Sequence, residues 1–327
     1  VSEIKYDVLG IGNAIVDILL PVDEEFIVAE GMRKGSMQLI DTARATALYD
    51  KLPPGTEASG GCAGNTVAGV ASLGGKAAFI GLVANDQLGE IFRHDITANG
   101  ITFTTPAVAD GLPTARCFIL VTPDAERTMN TYLGVAATLG TEQIDAALVE
   151  AAKVTYLEGF LFDSPPGKAA FFKAGELTAA AGRKLALTLS DAFCVNTHRA
   201  DFKKLVEQHV DILFANEAEI RALYETDFDT ALAIVRGKVG IACITRGAAG
   251  SVIVRGDETV QVAAMPTTVV DTTGAGDLYA AGFLYGYTQG MSLADCGRHA
   301  AIAAAEVISH MGARPLVNLG ELVKQAA

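Results

Sequence analysis

Short apolar runs separated by stretches of helical periodicity limit what this chain can fold into more than any other feature. Tyr6–Ile11, Ala77–Val83, Val154–Leu157, Lys184–Leu189, Asp211–Phe214 and Ile241–Thr245 read as strands, and the segments around 64–73, 86–99, 142–151, 168–181, 198–208 and 216–224 have the periodicity and length of helices. Strand and helix alternating in this way predict an α/β three-layer sandwich, a mostly parallel central sheet covered by helices on both faces. The rhythm breaks twice. Residues from about 14 to 40 and from about 101 to 134 look like strands joined by turns, with Pro113, Pro123 and Asp124 as punctuation, and predict a small β-rich lid beside the core. The chain closes with two helical stretches, Ala275–Gln289 and Ser292–His310, whose many small residues permit close packing. A chain of 327 residues, half of them hydrophobic, has room for one large core or two modest ones. The reading adopted is a single domain, 1–327, carrying the lid.

Charge and cysteine usage narrow the function. With 38 acidic against 25 basic side chains the formal net charge is −13, and no basic cluster stands out, so a nucleic-acid partner is not expected. No stretch approaches the roughly 20 apolar residues of a membrane span. The start, Val1-Ser-Glu-Ile-Lys-Tyr-Asp, lacks the blocks of a signal peptide. Five cysteines without a C-x-x-C pair argue against a disulfide framework or structural zinc, and the expected home is a reducing cytoplasm. The histidines are equally scattered, so any metal is expected on oxygen ligands.

The most informative stretch is Val270-Asp-Thr-Thr-Gly-Ala-Gly-Asp277-Leu-Tyr-Ala-Ala-Gly-Phe283. A strand end, then Gly274-Ala275-Gly276-Asp277, then an apolar helix gathers backbone N–H groups and the positive end of a helix dipole at one point, which is a place for an anion. Phosphoryl transfer needs such donors, because the charge spread over the transferring oxygens must be stabilised. Asp277 would accept the proton of an attacking hydroxyl; taken alone it reads more readily as a helix cap behind a tight glycine turn, and the second glycine-rich segment changes that reading. A second glycine-rich helix start, Ser59-Gly-Gly-Cys-Ala-Gly-Asn65-Thr-Val-Ala-Gly-Val-Ala-Ser-Leu-Gly-Gly75, places Asn65 where its side chain reaches a ligand. Competing motifs are poor. There is no G-x-x-x-x-G-K-S/T loop, Ile15 stands where a dinucleotide fingerprint starting at Gly10 needs its third glycine, and Cys62 has no evident histidine partner for thiol chemistry.

These two segments resemble the two signatures of the PfkB, or ribokinase-like, carbohydrate kinase family; Asn13 and Asp17 in Gly-Ile-Gly-Asn-Ala-Ile-Val-Asp, Asn216–Glu219 and Thr245-Arg-Gly follow in the family's order. The resemblance implies an ATP-dependent kinase in which Asp277 is the base and Gly274, Ala275 and Gly276 form the anion hole. It places Asn13, Asp17, Gly61 and Asn65 on sugar hydroxyls, where carboxylate and amides suit groups that both donate and accept. It assigns Asn216 and Glu219 to magnesium and phosphate, Glu219 through water, although Asn216 with Glu219 also reads as a capping box. Thr245, Gly247 and Thr272 would sit beside ATP, and Arg246 could be a solvated loop residue. Asp271 and Thr273 match positions that ligate a monovalent cation, potassium, in many relatives. Phe160, which alternates with Phe162 like a strand residue, would stack on a purine or simply fill the core.

Within the family the chain looks closest to the adenosine kinase branch, on Gly12–Asp17, Ser36–Leu39 and Thr131–Ala137; Gln38 and Leu133 would then face the base. The implied reaction is phosphorylation of the 5′-hydroxymethyl group of a purine nucleoside, adenosine to AMP, with ribose, fructose or 2-keto-3-deoxygluconate as alternative acceptors. A noncatalytic nucleotide or sugar sensor is the alternative of another class, opposed by the intact Asp277 and Gly274–Gly276. Family members occur as monomers and as dimers joined through the lid, and both states stay open.

Overall fold

A computed structural model describes residues 3–124 and 126–326. In chain order the elements begin with β1 (Tyr6–Ile11), β2 (Ile15–Pro21), α1 (Glu24–Ala29), β3 (Met37–Leu39), α2 (Thr42–Lys51), β4 (Thr56–Ser59), α3 (Cys62–Ser72), β5 (Ala77–Ile80) and α4 (Gln87–Ala98). They continue with β6 (Ala115–Val121), β7 (Arg127–Tyr132), α5 (Ala146–Ala151), β8 (Ala152–Glu158), α6 (Pro165–Ala180), β9 (Lys184–Thr188), α7 (Ala192–Gln208) and β10 (Ile212–Asn216). The last are α8 (Glu217–Tyr224), α9 (Phe228–Arg236), β11 (Ile241–Thr245), β12 (Ser251–Arg255), β13 (Glu258–Val262), α10 (Ala275–Thr288), α11 (Leu293–Val307) and α12 (Leu319–Gln325).

Among the described residues, eight strands form one sheet in the order β13-β12-β11-β10-β9-β8-β1-β5. It is parallel from β11 to β5 and antiparallel only where β12 and β13 close the other edge. Its central strands are buried on both faces, which is why they read as unbroken apolar runs rather than alternating ones. Neighbouring residues of β1 serve opposite layers: Val8 belongs to the core cluster that holds Val67, Leu278 and Phe283, and Leu9 to the other, which holds Phe171, Val206 and Ile220. Helices therefore cover both faces, as the alternating pattern predicts.

The helices α10 and α11 approach closely because Gly282 has no side chain; a Cβ there would lie 2.5 Å from the His299 carbonyl oxygen and 2.6 Å from the Ala300 nitrogen. This is the close packing expected from their composition.

A second, five-stranded sheet has the order β3-β7-β6-β2-β4. One face is apolar: Ile18 and Leu20 of β2 and Phe118 and Leu120 of β6 pack with Ile27 of α1 and Leu48 of α2. The opposite face, carrying Asp17, Cys117, Ile119 and Met129, looks into a cleft. Several details differ from the sequence reading. The segment 14–40 is not only strands, because Asp23 caps α1 through the Phe26 N–H at 2.8 Å and Glu24 and Glu25 favour its first turn. The small sheet also draws on β4, beyond the expected segments, and the hairpin β12–β13 and helix α9 were not anticipated. The helix expected over 142–151 begins as a 3-10 turn and is α-helical only from Ala146. Phe160 and Phe162 lie in a 3-10 turn, Gly159–Asp163, rather than in a strand, and Phe162 is wholly buried, stacked on Phe202 with 4.2 Å between ring centroids.

Candidate active site

The C-terminal ends of the parallel strands and the Asp17 face of the small sheet enclose a cleft of about 520 Å³. Ligands of open parallel sheets bind at such strand ends, where loops and helix N-termini converge. Asp277 enters the cleft from the first turn of α10. That helix starts at Gly274, whose φ of +78° lies in the left-handed region and whose missing Cβ leaves room for Ala313 at 2.9 Å. The first turn of a helix has N–H groups without intrahelical acceptors. Here the Ala275 N–H turns back to the Thr272 carbonyl at 3.2 Å, and Gly276 is exposed with open space above it.

A second cavity, about 560 Å³, lies on the other side of this turn. Its walls are mostly small and apolar, with Val262 at the end of the hairpin, Ala264 after it, and Ala301, Ala304 and Ile308 on and after α11. The two cavities share Thr245, Gly247, Thr272, Ala275, Gly276 and Tyr279. One glycine-containing turn is thus the common wall of a polar cleft and an apolar one.

Asn65, buried in α3, donates from Nδ2 to Asp277 Oδ2 at 2.9 Å, and its Oδ1 accepts from Arg314 Nε at 2.7 Å. Burial pushes the Asp277 carboxyl up to about 6, with the Asn65 and Cys62 hydrogen bonds and the Arg314 charge acting the other way. Asp17, at the middle of β2, is pushed up to about 7 by burial, against the pull of Arg314 and Arg127; Asp277 adds to the rise. Asn13 is buried and does not reach the cleft wall directly, since its Nδ2 donates to Glu158 Oε1 at 2.8 Å. The other Glu158 oxygen accepts from the Ala63 N–H at 2.8 Å, and burial lifts this carboxyl to about 7. Gly61 has φ +84°, and a Cβ there would strike the Asn13 carbonyl oxygen at 2.2 Å.

Asn216 and Glu219 form the capping box of α8: Asn216 Oδ1 accepts from the Glu219 N–H at 2.8 Å, and the Glu219 carboxylate accepts from the Asn216 backbone at 2.9 Å and Nδ2 at 2.7 Å. Both line the cleft, so capping and ligand contact are compatible. Burial pushes Glu219 up to about 7. Among the described residues no group of three or more His, Cys, Asp or Glu side chains converges to hold a metal. The site fits only a divalent ion carried by phosphates and water, a role in keeping with magnesium's reluctance to lose its hydration shell.

The side chains offered to potassium do not fit it in this arrangement. Asp271 Oδ1 accepts from the Thr273 N–H at 3.0 Å and Oδ2 from the Gly312 N–H at 3.0 Å, and Arg127 Nη2 pairs with the same Oδ2 at 2.5 Å. Arg127 Nη1 donates to Thr273 Oγ1 at 2.7 Å. The Arg127 guanidinium already compensates the Asp271 charge and occupies the Thr273 hydroxyl.

Besides Asn13, three expected substrate contacts are not brought to the cleft wall. Gln38 pairs with Asn130 in register, and its Nε2 donates to Asn130 Oδ1 at 2.5 Å on the face of the small sheet that carries Phe118, away from Asp17. Strand alternation decides this, because shifting by one residue reverses the face. Leu133 follows β7 half-buried, and Phe160 is half-buried with its N–H 3.3 Å from Ser190 Oγ. Arg246 is held on the surface by Glu217 at 3.0 Å and lies 4.3 Å over the Phe228 ring. Arg127, Glu158 and Arg314 were missed by sequence reasoning. Glu158, an acidic residue ending an apolar strand before Gly159, carried a usable signal; Arg127 and Arg314 carried none.

The model of the pfkB family carbohydrate kinases matches residues 37–318, and the chain belongs to this family of ATP-dependent kinases. It is 53% identical to the adenosine kinase of Sinorhizobium meliloti, whose crystal structure superposes with a TM-score of 0.92 over 99% of this chain and 100% of that one. A probable sugar kinase from Rhizobium etli CFN 42 is 50% identical, with a TM-score of 0.91 over 98% of each chain. The adenosine kinase of Saccharomyces cerevisiae is 28% identical over 86% of this chain and 89% of its own.

Proposed function

We propose that this kinase transfers the γ-phosphoryl group of ATP to the 5′-hydroxymethyl oxygen of a purine nucleoside, and that adenosine, yielding AMP, is its acceptor. The observation that carries this reading is the shared wall at 272–276, with Asp277 facing the polar cavity and an apolar, base-sized cavity behind it. ATP would lie along the apolar side with its phosphates over Gly276, beside Thr245, Gly247 and Thr272. Asp17 and Asn65 would hold the ribose hydroxyls, and Asn13 would act from beneath them through Glu158. The face formed by Cys117, Ile119 and Met129 is the apolar surface available to a purine base. Asp277 takes the proton of the 5′-hydroxyl as the new O–P bond forms and the bond from Pγ to the β,γ-bridging oxygen breaks, releasing ADP. Magnesium, when bound with ATP, would neutralise phosphate charge, with Glu219 contacting it through water. The small sheet would act as the lid, closing on the acceptor to exclude water that would otherwise hydrolyse ATP.

The nucleoside assignment draws on the likeness to the Sinorhizobium meliloti adenosine kinase, while the likeness to the Rhizobium etli probable sugar kinase favours a free sugar as the second reading. The test is ADP release from ATP and magnesium against adenosine, inosine, guanosine, ribose, fructose and 2-keto-3-deoxygluconate. Turnover highest on adenosine is expected; turnover on a free sugar alone would replace the nucleoside by that sugar.

A further inference from the structure

Arg314 lies in the segment between α11 and α12, far in sequence from every motif of the site, yet its guanidinium ends among the site's side chains. Nε donates to Asn65 Oδ1 at 2.7 Å, and one terminal nitrogen is shielded from solvent without a hydrogen-bond partner, beside the first turn of α3 where a Cβ on Gly64 would stand 3.3 Å from it. An arginine offers donors only, so the atom of Asn65 that meets it must be the amide oxygen. That choice turns the amide nitrogen toward Asp277, where it donates at 2.9 Å. Without the guanidinium the two ends of the amide are nearly equal in shape, and a flipped Asn65 would set oxygen against the Asp277 carboxylate.

We propose that Arg314 is a positioning residue for phosphoryl transfer: it locks the Asn65 amide in the orientation that serves Asp277 and supplies positive charge to the acidic end of the cleft. This rests on the reading of Asp277 as the base. The charged and titratable groups around Asp277 come from several elements: Asp17 on β2, Cys62 on α3, Tyr156 and Glu158 on β8, with Arg127 on β7 and Asp95 on α4 acting on Asp17 and Arg314. Among them Arg314 is the cation that acts on both Asp17 and Asp277, and it lowers the proton affinity of each.

The experiment compares wild type, Arg314→Met, Arg314→Lys and Asp277→Asn in full pH profiles of kcat and of KM for adenosine. Arg314→Met is expected to lower kcat about tenfold or more at neutral pH, to move the acidic limb upward by about half a pH unit or more, and to recover part of the loss at alkaline pH. Arg314→Lys, which keeps charge and a donor, is expected to hold the limb at its wild-type place with kcat reduced by about threefold to tenfold, because an ammonium lacks the planar fork. A wild-type kcat and limb in Arg314→Met, or an equal loss at every pH in both variants, would overturn the proposal. Should Arg314→Met not fold, Arg314→Lys decides alone: a raised limb or an undiminished kcat would overturn it. Asp277→Asn separates the two levels. If it keeps its turnover, the reading of Asp277 is what fails; if it is inactive while Arg314→Met behaves as wild type, only the role of Arg314 falls.

Discussion

Arg127 Nη2, on the small sheet, lies 2.5 Å from Asp271 Oδ2, on the turn that leads into α10. Both side chains are nearly closed to solvent, with relative exposures of 10% and 3%. The pair ties the second sheet to the glycine-containing turn that leads into α10. A charge buried this deeply is costly if left alone, so Arg127→Met should lower stability by about 3 kcal/mol, read from denaturant unfolding. It should also reduce kcat, since the turn loses its anchor.

The same guanidinium leads to a prediction about ions. Because Arg127 already compensates Asp271 and Thr273, exchanging potassium for sodium or tetramethylammonium at constant ionic strength should change kcat by less than about twofold, a margin set by the small energies of exposed ion effects. Strong activation by potassium would show that Arg127 leaves these groups during turnover.

Asp277→Asn should bind adenosine with a KM near wild type and lose about a thousandfold or more in kcat, because a proton acceptor acts in the transition state and little before it. Comparable losses in binding and turnover would count against its role as base.

The Asp277 carboxyl is pushed up to about 6 by burial, and proton abstraction requires the ionised form. The acidic limb of kcat should therefore fall tenfold per pH unit below about 6, well above the range of an ordinary aspartate. Asp17, pushed up to about 7, should add a rise in KM as pH falls through that value if it holds the ribose as an ionised acceptor.

Glu158 is buried and lifted to about 7, above its unfolded value of 4.5. The folded chain then holds a proton that the unfolded chain releases, so this group takes stability away as pH rises from about 4.5 through about 7. Glu158→Gln should flatten that part of the stability profile. It should also raise KM for adenosine about tenfold, since Asn13 Nδ2 and the Ala63 N–H each meet a different Glu158 oxygen and an amide sets its NH2 group against one of these donors. Thermal unfolding across pH and steady-state kinetics check the two halves separately.

Much of this architecture was legible in the sequence because its causes are local. β1 reads as a strand since both its faces are buried, and Gly274 before an apolar helix marks a turn that a larger residue resists. Asp277 and Asn65 were found because glycine-rich helix starts announce backbone geometry suited to ligands, and Asp17 through the family resemblance of its motif. The short α1 and the edge strand β13 were harder: six residues of helix hold too little periodicity to see, and β13 lies at the sheet edge, where burial is incomplete.

Side-chain partnerships across long separations were not legible at all. Gln38 has the right neighbours in sequence for a base contact, yet its register against Asn130 turns it to the apolar face of the small sheet. Arg127 and Arg314 stand in segments with no motif, and the place of Glu158 at a strand end does not name its partner; their importance comes from Asp271, Asn65 and Asn13, residues 144, 249 and 145 positions away. The sequence by itself determined the alternation of strands and helices, the two glycine-rich helix starts and the candidate base, since hydrophobic period and backbone sterics act within a few residues. Only the tertiary structure decided which charges meet, which face each strand shows the cleft, and that one turn divides two cavities, because those follow from strand order, register and burial, which join distant parts of the chain.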